Sequence, residues 1–139
     1  MYKKILVAVD GSENSLRATK QAATIAFLAE NCSVEILSVA DYSKTKSEVL
    51  YSESLEKLNL ERKKRLKPAE DILQKQGVEY TVKILHGIPG PTIVSYANKN
   101  NFDMLVIGSR GLNTLQEMVL GSVSHKVAKR ADCPVLIVK

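Results

Sequence analysis

Short apolar runs alternate with longer amphipathic segments along the chain. The run at 3–9 carries apolar residues for both faces of a strand, which is typical of a strand in the middle of a parallel sheet. A turn signal at 10–12 ends this run, and a helical pattern follows from Glu13 to Asn31 with Ser12 as its N-cap. The apolar face expected for this helix consists of Leu16, Ala23, Ala26 and Phe27.

The remaining chain repeats this alternation. Residues 41–52 are polar without a core pattern, which predicts a loop, and a charged helix is expected at about 53–76. Pro68 lies inside that helix and predicts either a kink or the start of a new helix, whereas Gly77 is suited to its end. Further strands are expected at 34–39, 78–85, 102–107 and 135–138, and further helices after Pro91 and at about 122–131. The side chains expected to be buried on these helices are Leu55, Leu58, Leu66, Ala69, Leu73, Ile93, Val94 and Ala97.

The regular order of strands and helices predicts an α/β fold. A parallel sheet would be covered by helices on both faces and joined by right-handed crossovers, giving a three-layer α/β/α sandwich. The 139 residues suffice for one domain with a substantial core, and no linker or internal repeat divides them. We therefore expect residues 1–139 to form a single domain.

Composition and charge narrow the possible functions. An apolar fraction of 45% argues against disorder, and no apolar run reaches the roughly 18–20 residues of a membrane span. The N-terminus lacks a signal-peptide pattern, so a soluble, cytoplasmic protein is expected. Two cysteines and two histidines predict neither a disulfide framework nor a metal cluster.

The net charge of +5 favours an anionic partner. Aromatic residues make up only 5% of the chain and Trp is absent, which disfavours a reader of single-stranded nucleic acid. The basic run at 62–67 is flanked by acids and spreads around more than one helix face. We interpret it as a solvated surface in preference to a nucleic-acid site.

Candidate chemistry lies in the loops after the strands, because open α/β sheets bind ligands beyond the carboxyl ends of their strands. Asp10 follows the first strand and Val39 ends the second. The segment 108–111, which contains two glycines and Arg110, follows the fourth strand. Segment 121–124 comes after a further nine residues and opens the last helix, where free N–H groups favour an anion. Gly108 and Gly111 are expected to adopt positive φ and to let the backbone approach a ligand. Each glycine alone also fits a structural role at a strand end, a turn or a helix cap, and Asp10 alone also fits a turn or a helix cap.

Several other phosphate-binding patterns are absent from the sequence. There is no Walker-A motif, and no G-x-G-x-x-G follows the first strand. A phospho-receiver domain would carry an acceptor Asp after the third strand, where this chain has His86. Both His86 and His125 are interpreted as surface residues.

Three segments together resemble the universal stress protein family. The pattern Gly108-x-x-Gly111, nine residues and then Gly121-Ser122 resembles that family's nucleotide-binding signature. The opening segment 3–12 is similar to the family's first strand and turn, and the closing segment 133–138 to its last strand. The resemblance covers the whole chain in register.

This resemblance implies a five-stranded parallel sheet in the order 3-2-1-4-5, of the Rossmann-like, adenine nucleotide alpha hydrolase-like type. It also implies binding of ATP with Mg²⁺. Ala8 and Val9 would wall the adenine, Val39 would hold it, and Asp10 would approach the ribose and the phosphate-bound metal. The ribose and phosphates would contact Gly108, Ser109, Arg110, Gly111, Gly121, Ser122, Val123 and Ser124.

One position departs from the family pattern, since many ATP-binding members carry Pro where this chain has Ala8. We expect this difference to change affinity more than the ability to bind. The expected function is an ATP-binding regulatory module in the stress response. A binding module is expected in preference to an efficient enzyme, because no residue is an evident general base. The alternatives are a non-nucleotide-binding interaction module of the same family and a slow ATPase or phosphotransferase.

A homodimer is expected through the last strand. In the order 3-2-1-4-5 this strand lies at a sheet edge, which invites pairing with a second copy about a two-fold axis. The alternative is a monomer in which the last helix and nearby loops cover the edge. The residues at the expected interface are Val135, Leu136, Ile137 and Val138.

Overall fold

A five-stranded, all-parallel sheet forms the centre of the molecule in the computed structural model, which describes residues 2–40, 54–111 and 121–139. The strand order is β3-β2-β1-β4-β5, which confirms the α/β fold and the topology expected from the family resemblance. The strands are β1 (Lys4–Ala8), β2 (Ser33–Ala40), β3 (Tyr80–His86), β4 (Met104–Gly108) and β5 (Val135–Val138).

The helices divide between the two faces of the sheet. The described helices are α1 (Glu13–Ala29), α2 (Ser54–Gln76), α3 (Pro89–Lys99) and α4 (Ser122–Arg130). On one face, α1 and α2 pack against Ile5 and Val7 of β1. On the other face, α3 and α4 pack against Leu6 and Ala8 of the same strand. Because successive strand residues point to opposite faces, the apolar run of β1 supplies both cores.

The helical elements confirm most of the buried positions expected from the sequence, with one error. Ala23 and Ala26 of α1 are buried, but Phe27 is 59% exposed. The buried stripe of α1 also includes Ala18 and Ala22, whose small side chains let the helix lie close to the sheet. Phe27 therefore falls outside the contact stripe despite its size.

The helix α2 is continuous through Pro68, so no new helix starts there. Proline cannot donate a hydrogen bond to the carbonyl four residues earlier, at Lys64. Both residues are exposed, so water can reach that part of the helix, while Leu66 and Leu73 on the opposite side are buried. The loop expected at 41–52 and the side chains of Leu55 and Leu58 lie outside the described residues.

The end of α2 sets the start of β3. The N–H of Val78 donates to the carbonyl of Leu73 at 3.0 Å, and Gly77 has a φ of +73°. This is the hydrogen bond of a glycine-containing helix end, and it occupies Val78, so β3 begins at Tyr80.

In the part of the chain that the structure describes, no helix is long and apolar enough to cross a membrane.

Candidate functional site

A cavity of about 750 Å³ opens at the carboxyl ends of the central strands. Its size lies within the range of small-molecule sites, which is roughly 300–1,000 Å³. The walls come from the loops after β1, β2, β3 and β4 and from the facing parts of α2 and α4. Eleven of the twelve site residues expected from the sequence line it, namely Ala8, Val9, Asp10, Val39, Gly108, Arg110, Gly111, Gly121, Ser122, Val123 and Ser124.

The loop after β1 presents Asp10 to the cavity in a fixed orientation. The Ser12 N–H donates to Oδ1 of Asp10 at 2.9 Å, and the intervening Gly11 has a φ of +89°, a conformation that favours glycine. Oδ2 lies beside Gly111, where an added Cβ would stand only 2.7 Å from it. The carboxylate is therefore positioned between the two loops that follow β1 and β4.

The glycines after β4 allow close packing and do not supply unusual backbone angles. A Cβ on Gly108 would lie 2.8 Å from the Cβ and 2.9 Å from the backbone carbonyl carbon of Asn14 in α1. Neither Gly108 nor Gly111 has a positive φ, so the expectation that they adopt one is wrong. They are required because the end of β4 approaches both α1 and the Asp10 carboxylate.

The N-terminus of α4 is tied to the end of β4. The Gly121 N–H donates to the carbonyl of Ser109 at 2.8 Å, and the buried hydroxyl of Ser124 donates to the carbonyls of Gly108 and Ser109 at 2.8 and 3.1 Å. The His125 N–H bonds the Gly121 carbonyl, so the N–H groups of 122–124 precede this first intrahelical bond. These groups and the helix dipole create an anion-binding end that faces the cavity.

The hydroxyl groups of Ser109 and Ser124 form hydrogen bonds within the protein. Ser109 does not line the cavity, because its Oγ accepts a hydrogen bond from Nδ2 of Asn14 at 3.1 Å and its N–H donates to the Val138 carbonyl at 2.7 Å. The Ser124 hydroxyl proton is already used by the backbone of β4. Ser122 is exposed and lines the cavity, so it is the serine whose hydroxyl can serve a ligand.

The edge of β2 next to the cavity is open. The last register pair between β1 and β2 joins Ala8 to Leu37, and the Val9 N–H then donates to the Leu37 carbonyl at 2.9 Å. Ser38 and Val39 therefore extend beyond the end of β1 and line the cavity. A planar ligand with edge donors and acceptors can meet strand backbone at this point.

Four charged residues of the cavity wall were missed by the sequence reasoning. Glu61, Arg62 and Arg65 come from α2, and Lys126 comes from α4. The expectation of a solvated surface at 62–67 agrees with the exposure of Lys63, Lys64, Arg65 and Lys67, but Arg62 is half-buried, and both arginines line the cavity. The spacing of two arginines three positions apart, which places them on one helix face, was the available signal.

The other reactive side chains lie away from the cavity. Both cysteines are free, and burial raises the pKa of the Cys32 and Cys133 thiols. His86 and His125 are exposed, as expected. Within residues 2–40, 54–111 and 121–139, no group of three or more potential metal-ligating side chains comes together.

Comparison with known proteins gives a consistent family relationship. The model of the universal stress protein family matches residues 1–139. A universal stress protein of Methanocaldococcus jannaschii is 36% identical over 141 residues, which is 100% of this chain and 83% of that protein. A second protein of that organism has a solved structure with 36% identity and a TM-score of 0.87, covering 100% of this chain and 96% of the other.

Two further solved structures contain adenine nucleotides. A universal stress protein in complex with cAMP has 29% identity and a TM-score of 0.72, covering 99% of this chain and 97% of the other. A universal stress protein of Archaeoglobus fulgidus in complex with dAMP has 28% identity and a TM-score of 0.74, with 99% and 98% coverage.

Proposed function

This chain belongs to the universal stress protein family, and we propose on that premise that it binds ATP or another adenine nucleotide as a regulatory module in the stress response. The observation that carries the proposal is that Asp10, Val39 and the N-terminus of α4 line one cavity at the point where β1 and β4 lie side by side. This is the switch point at which open α/β sheets bind their ligands. Related proteins in complex with cAMP and dAMP support an adenine nucleotide as the ligand class.

The base would occupy the wall formed by Ala8, Val9 and the open edge of β2 at Val39. Backbone groups there match the donor and acceptor atoms on the edge of adenine, and the apolar side chains cover its faces. Asp10 would accept hydrogen bonds from the ribose hydroxyls. A hydrogen bond to a charged group contributes about 1.5–3 kcal/mol, so Asp10 is expected to supply a large part of the affinity.

The phosphate tail would lie between Arg110 and the N-terminus of α4. The N–H groups of 122–124 and the Ser122 hydroxyl supply donors, and Arg110 supplies a charge-assisted contact. Gly121 forms the N-cap without a side chain, so a phosphate can approach the helix end closely. We expect Gly121→Val to obstruct this approach.

The donor set fits Mg²⁺ bound mainly through the nucleotide. Mg²⁺ is commonly held by one or two carboxylates together with phosphate oxygens and water. Asp10 offers one such carboxylate at the cavity wall. When bound, the ion would neutralise phosphate charge next to Asp10, and Asp10 itself would orient the ribose and the hydrated metal.

The direct test is calorimetric titration of the full chain with ATP and Mg²⁺, after native mass spectrometry for co-purified nucleotide. Asp10→Ala is expected to weaken binding roughly 10- to 100-fold. Asp71→Ala is the control, because Asp71 is exposed on α2 and pairs with Lys67 away from the cavity. Absence of any heat of binding at millimolar ATP would replace this proposal with the interaction-module alternative.

Any catalysis is expected to be slow. Typical enzymes turn over about ten times per second, and none of the described residues that line the cavity is an evident base for activating water. A steady-state ATPase rate near about one per second that Asp10→Ala abolishes would favour the alternative of an ATPase or phosphotransferase.

We further propose a cytoplasmic protein of one domain, residues 1–139, that forms a homodimer through β5. This strand is a sheet edge, and its four apolar side chains are only partly buried. Pairing with the same strand of a second copy would satisfy the outer backbone groups of Val135 to Val138. Such an arrangement would leave the cavity accessible at the carboxyl end of each sheet.

A further inference from the structure

Two arginines of α2 reach the cavity from the face of the sheet opposite to α4. Arg62 and Arg65 line the cavity, and α2 packs with α1 on one face. The N-terminus of α4, which would hold the phosphate tail, belongs to the other face. The cavity is thus flanked by cationic groups on two sides of the sheet edge.

Arg65 is held in place by the loop after β1. A Cβ on Gly11 would stand 2.3 Å from Cγ and 2.8 Å from Cδ of Arg65, so the aliphatic part of the arginine lies directly on the bare glycine backbone. Arg65 and Asp10 both line the cavity beside this contact. A side chain that is partly ordered before binding loses less conformational entropy when it contacts a ligand.

The cavity contains more positively charged side chains than one phosphate at the N-terminus of α4 would contact. Among the residues that the structure describes, four cations line it (Arg62, Arg65, Arg110 and Lys126), against the acids Asp10 and Glu61. Arg110 and Lys126 lie on the β4 and α4 side, where the phosphate tail is proposed. The two arginines of α2 are left for a separate anionic group.

We infer that Arg62 and Arg65 form a second phosphate-binding subsite, which takes a phosphate of the nucleotide other than the one at α4. This inference rests on the proposed adenine-nucleotide site. The ligand class is an adenine nucleotide with at least two phosphate groups, because one must reach each side of the sheet edge. Bidentate contacts of guanidinium groups with phosphate oxygens supply the recognition.

The sheet order allows two positions for this second phosphate. Neighbouring strands lie about 4.8 Å apart, so β2, β1 and β4 together span roughly 10 Å. With the base at β2 and a phosphate at β4, the ribose lies over β1, where Gly11 and Arg65 meet. The second phosphate is therefore either attached to the ribose or a later phosphate of the 5′ tail that folds back towards α2.

Calorimetry with AMP, ATP and adenosine 3′,5′-bisphosphate tests the inference and separates these sources. The variants are Arg65→Gln and Arg62→Gln, with Lys64→Gln as the matched control, since Lys64 lies in the same basic run but does not line the cavity. Each variant removes one positive charge, and all titrations share one ionic strength. Far-ultraviolet circular dichroism melts check that the exposed substitutions leave the fold unchanged.

The wild type is expected to bind ATP or the bisphosphate more tightly than AMP. Arg65→Gln is expected to lower the affinity for the tighter-binding of these two ligands roughly 5- to 20-fold more than the affinity for AMP. The effect is limited to this range because the arginine is exposed and solvent reduces its contribution. Lys64→Gln is expected to change the affinities for all three ligands equally and by less than about twofold. The ligand that shows the excess loss identifies the position of the second phosphate.

Four results would overturn the subsite. If the wild type binds AMP as tightly as it binds ATP and the bisphosphate, the second phosphate adds no affinity, while the proposed nucleotide site stands. If Arg65→Gln lowers the affinity for AMP as much as that for ATP and the bisphosphate, the arginine does not contact a second phosphate. If Lys64→Gln lowers the affinities as much as Arg65→Gln does, the arginines contribute only to the overall positive potential. If no nucleotide binds, the subsite fails together with the proposed function.

Discussion

The glycines after β4 give a prediction in which the same substitution has two different effects. Replacing Gly108 by Ala would place Cβ 2.8 Å from the Asn14 Cβ and 2.9 Å from its backbone carbonyl carbon. Replacing Gly111 by Ala would place Cβ 2.7 Å from Oδ2 of Asp10, at the end of a short side chain. The first contact is with helix backbone, and the second is with a carboxylate whose other oxygen accepts a hydrogen bond from the Ser12 N–H.

The expected losses of stability depend on which groups must move to relieve each close contact. Relieving the contact at Gly108 requires a shift of α1 or β4, and overpacking of this kind costs about 1–3 kcal/mol. Gly111→Ala requires the Asp10 carboxylate to turn away, which also weakens the hydrogen bond that its Oδ1 accepts from the Ser12 N–H, so the free energy of unfolding is expected to fall by about 0.5–1.5 kcal/mol. Nucleotide affinity should instead fall roughly tenfold or more, because Asp10 is the proposed ribose ligand.

Urea unfolding gives the free energies, and calorimetry with ATP and Mg²⁺ gives the affinities. Gly77→Ala is the control, because nothing lies within 4 Å of its added Cβ and only the positive φ of +73° opposes the substitution. A loss of about 1 kcal/mol with unchanged affinity is expected for this variant. The reasoning is refuted if Gly108→Ala is as stable as the wild type, or if Gly111→Ala binds nucleotide normally.

Three further predictions concern acid stability, helix capping and assembly. The backbone N–H groups of Lys3 and Lys4 donate to Asp103 and hold the pKa of its carboxyl below the ordinary value, so this stabilisation is present at neutral pH and is lost as the pH falls below about 4. Asp103→Asn should therefore reduce the free energy of unfolding at pH 6 by less than about 1 kcal/mol, as measured by urea unfolding. The variant should also lose less stability than the wild type between pH 6 and pH 3. Ser12→Ala removes the N-cap of α1 and should cost about 1 kcal/mol, whereas Ser12→Asn should retain most of the stability in the same assay. Light scattering behind a sizing column should show a dimer that Ile137→Lys dissociates, and a wild-type mass near 15.3 kDa would contradict the dimer.

The sequence predicts the fold well because its strongest signals are local. The apolar run of β1 and the strand patterns at β2 and β4 identify buried parallel strands, and these strands bring Asp10 and Gly108 to neighbouring positions at one edge. Glycine spacing and the helix start at Ser122 then locate the anion-binding end. The alternation of strands and helices depends only on periodicity, turn chemistry and the geometry of parallel sheets, whereas the strand order and the nucleotide-binding role of the glycine pattern were implied by the family resemblance.

The errors arise where tertiary packing decides. Phe27 continues the helical pattern of α1, but the sheet contacts only a narrow stripe of small residues, so the aromatic ring remains exposed. Arg65 belongs to a basic run that looks uniformly solvated, yet its stem packs on Gly11, which is 54 positions away in the chain. Ser109 lies inside the glycine pattern but turns towards Asn14. Local periodicity carries no information on which distant backbone a side chain will meet.

The most direct test of the central proposal is an amide NMR titration of the full chain with ATP and Mg²⁺. Binding at the β1–β4 switch point predicts saturable shifts concentrated at Val39, Asp10, 108–111 and 121–124, with the strand residues of the sheet interior little affected. The same experiment on Asp10→Ala should require more nucleotide to reach saturation. Absence of shifts at millimolar ATP, or shifts confined to surfaces away from this cavity, would contradict the account.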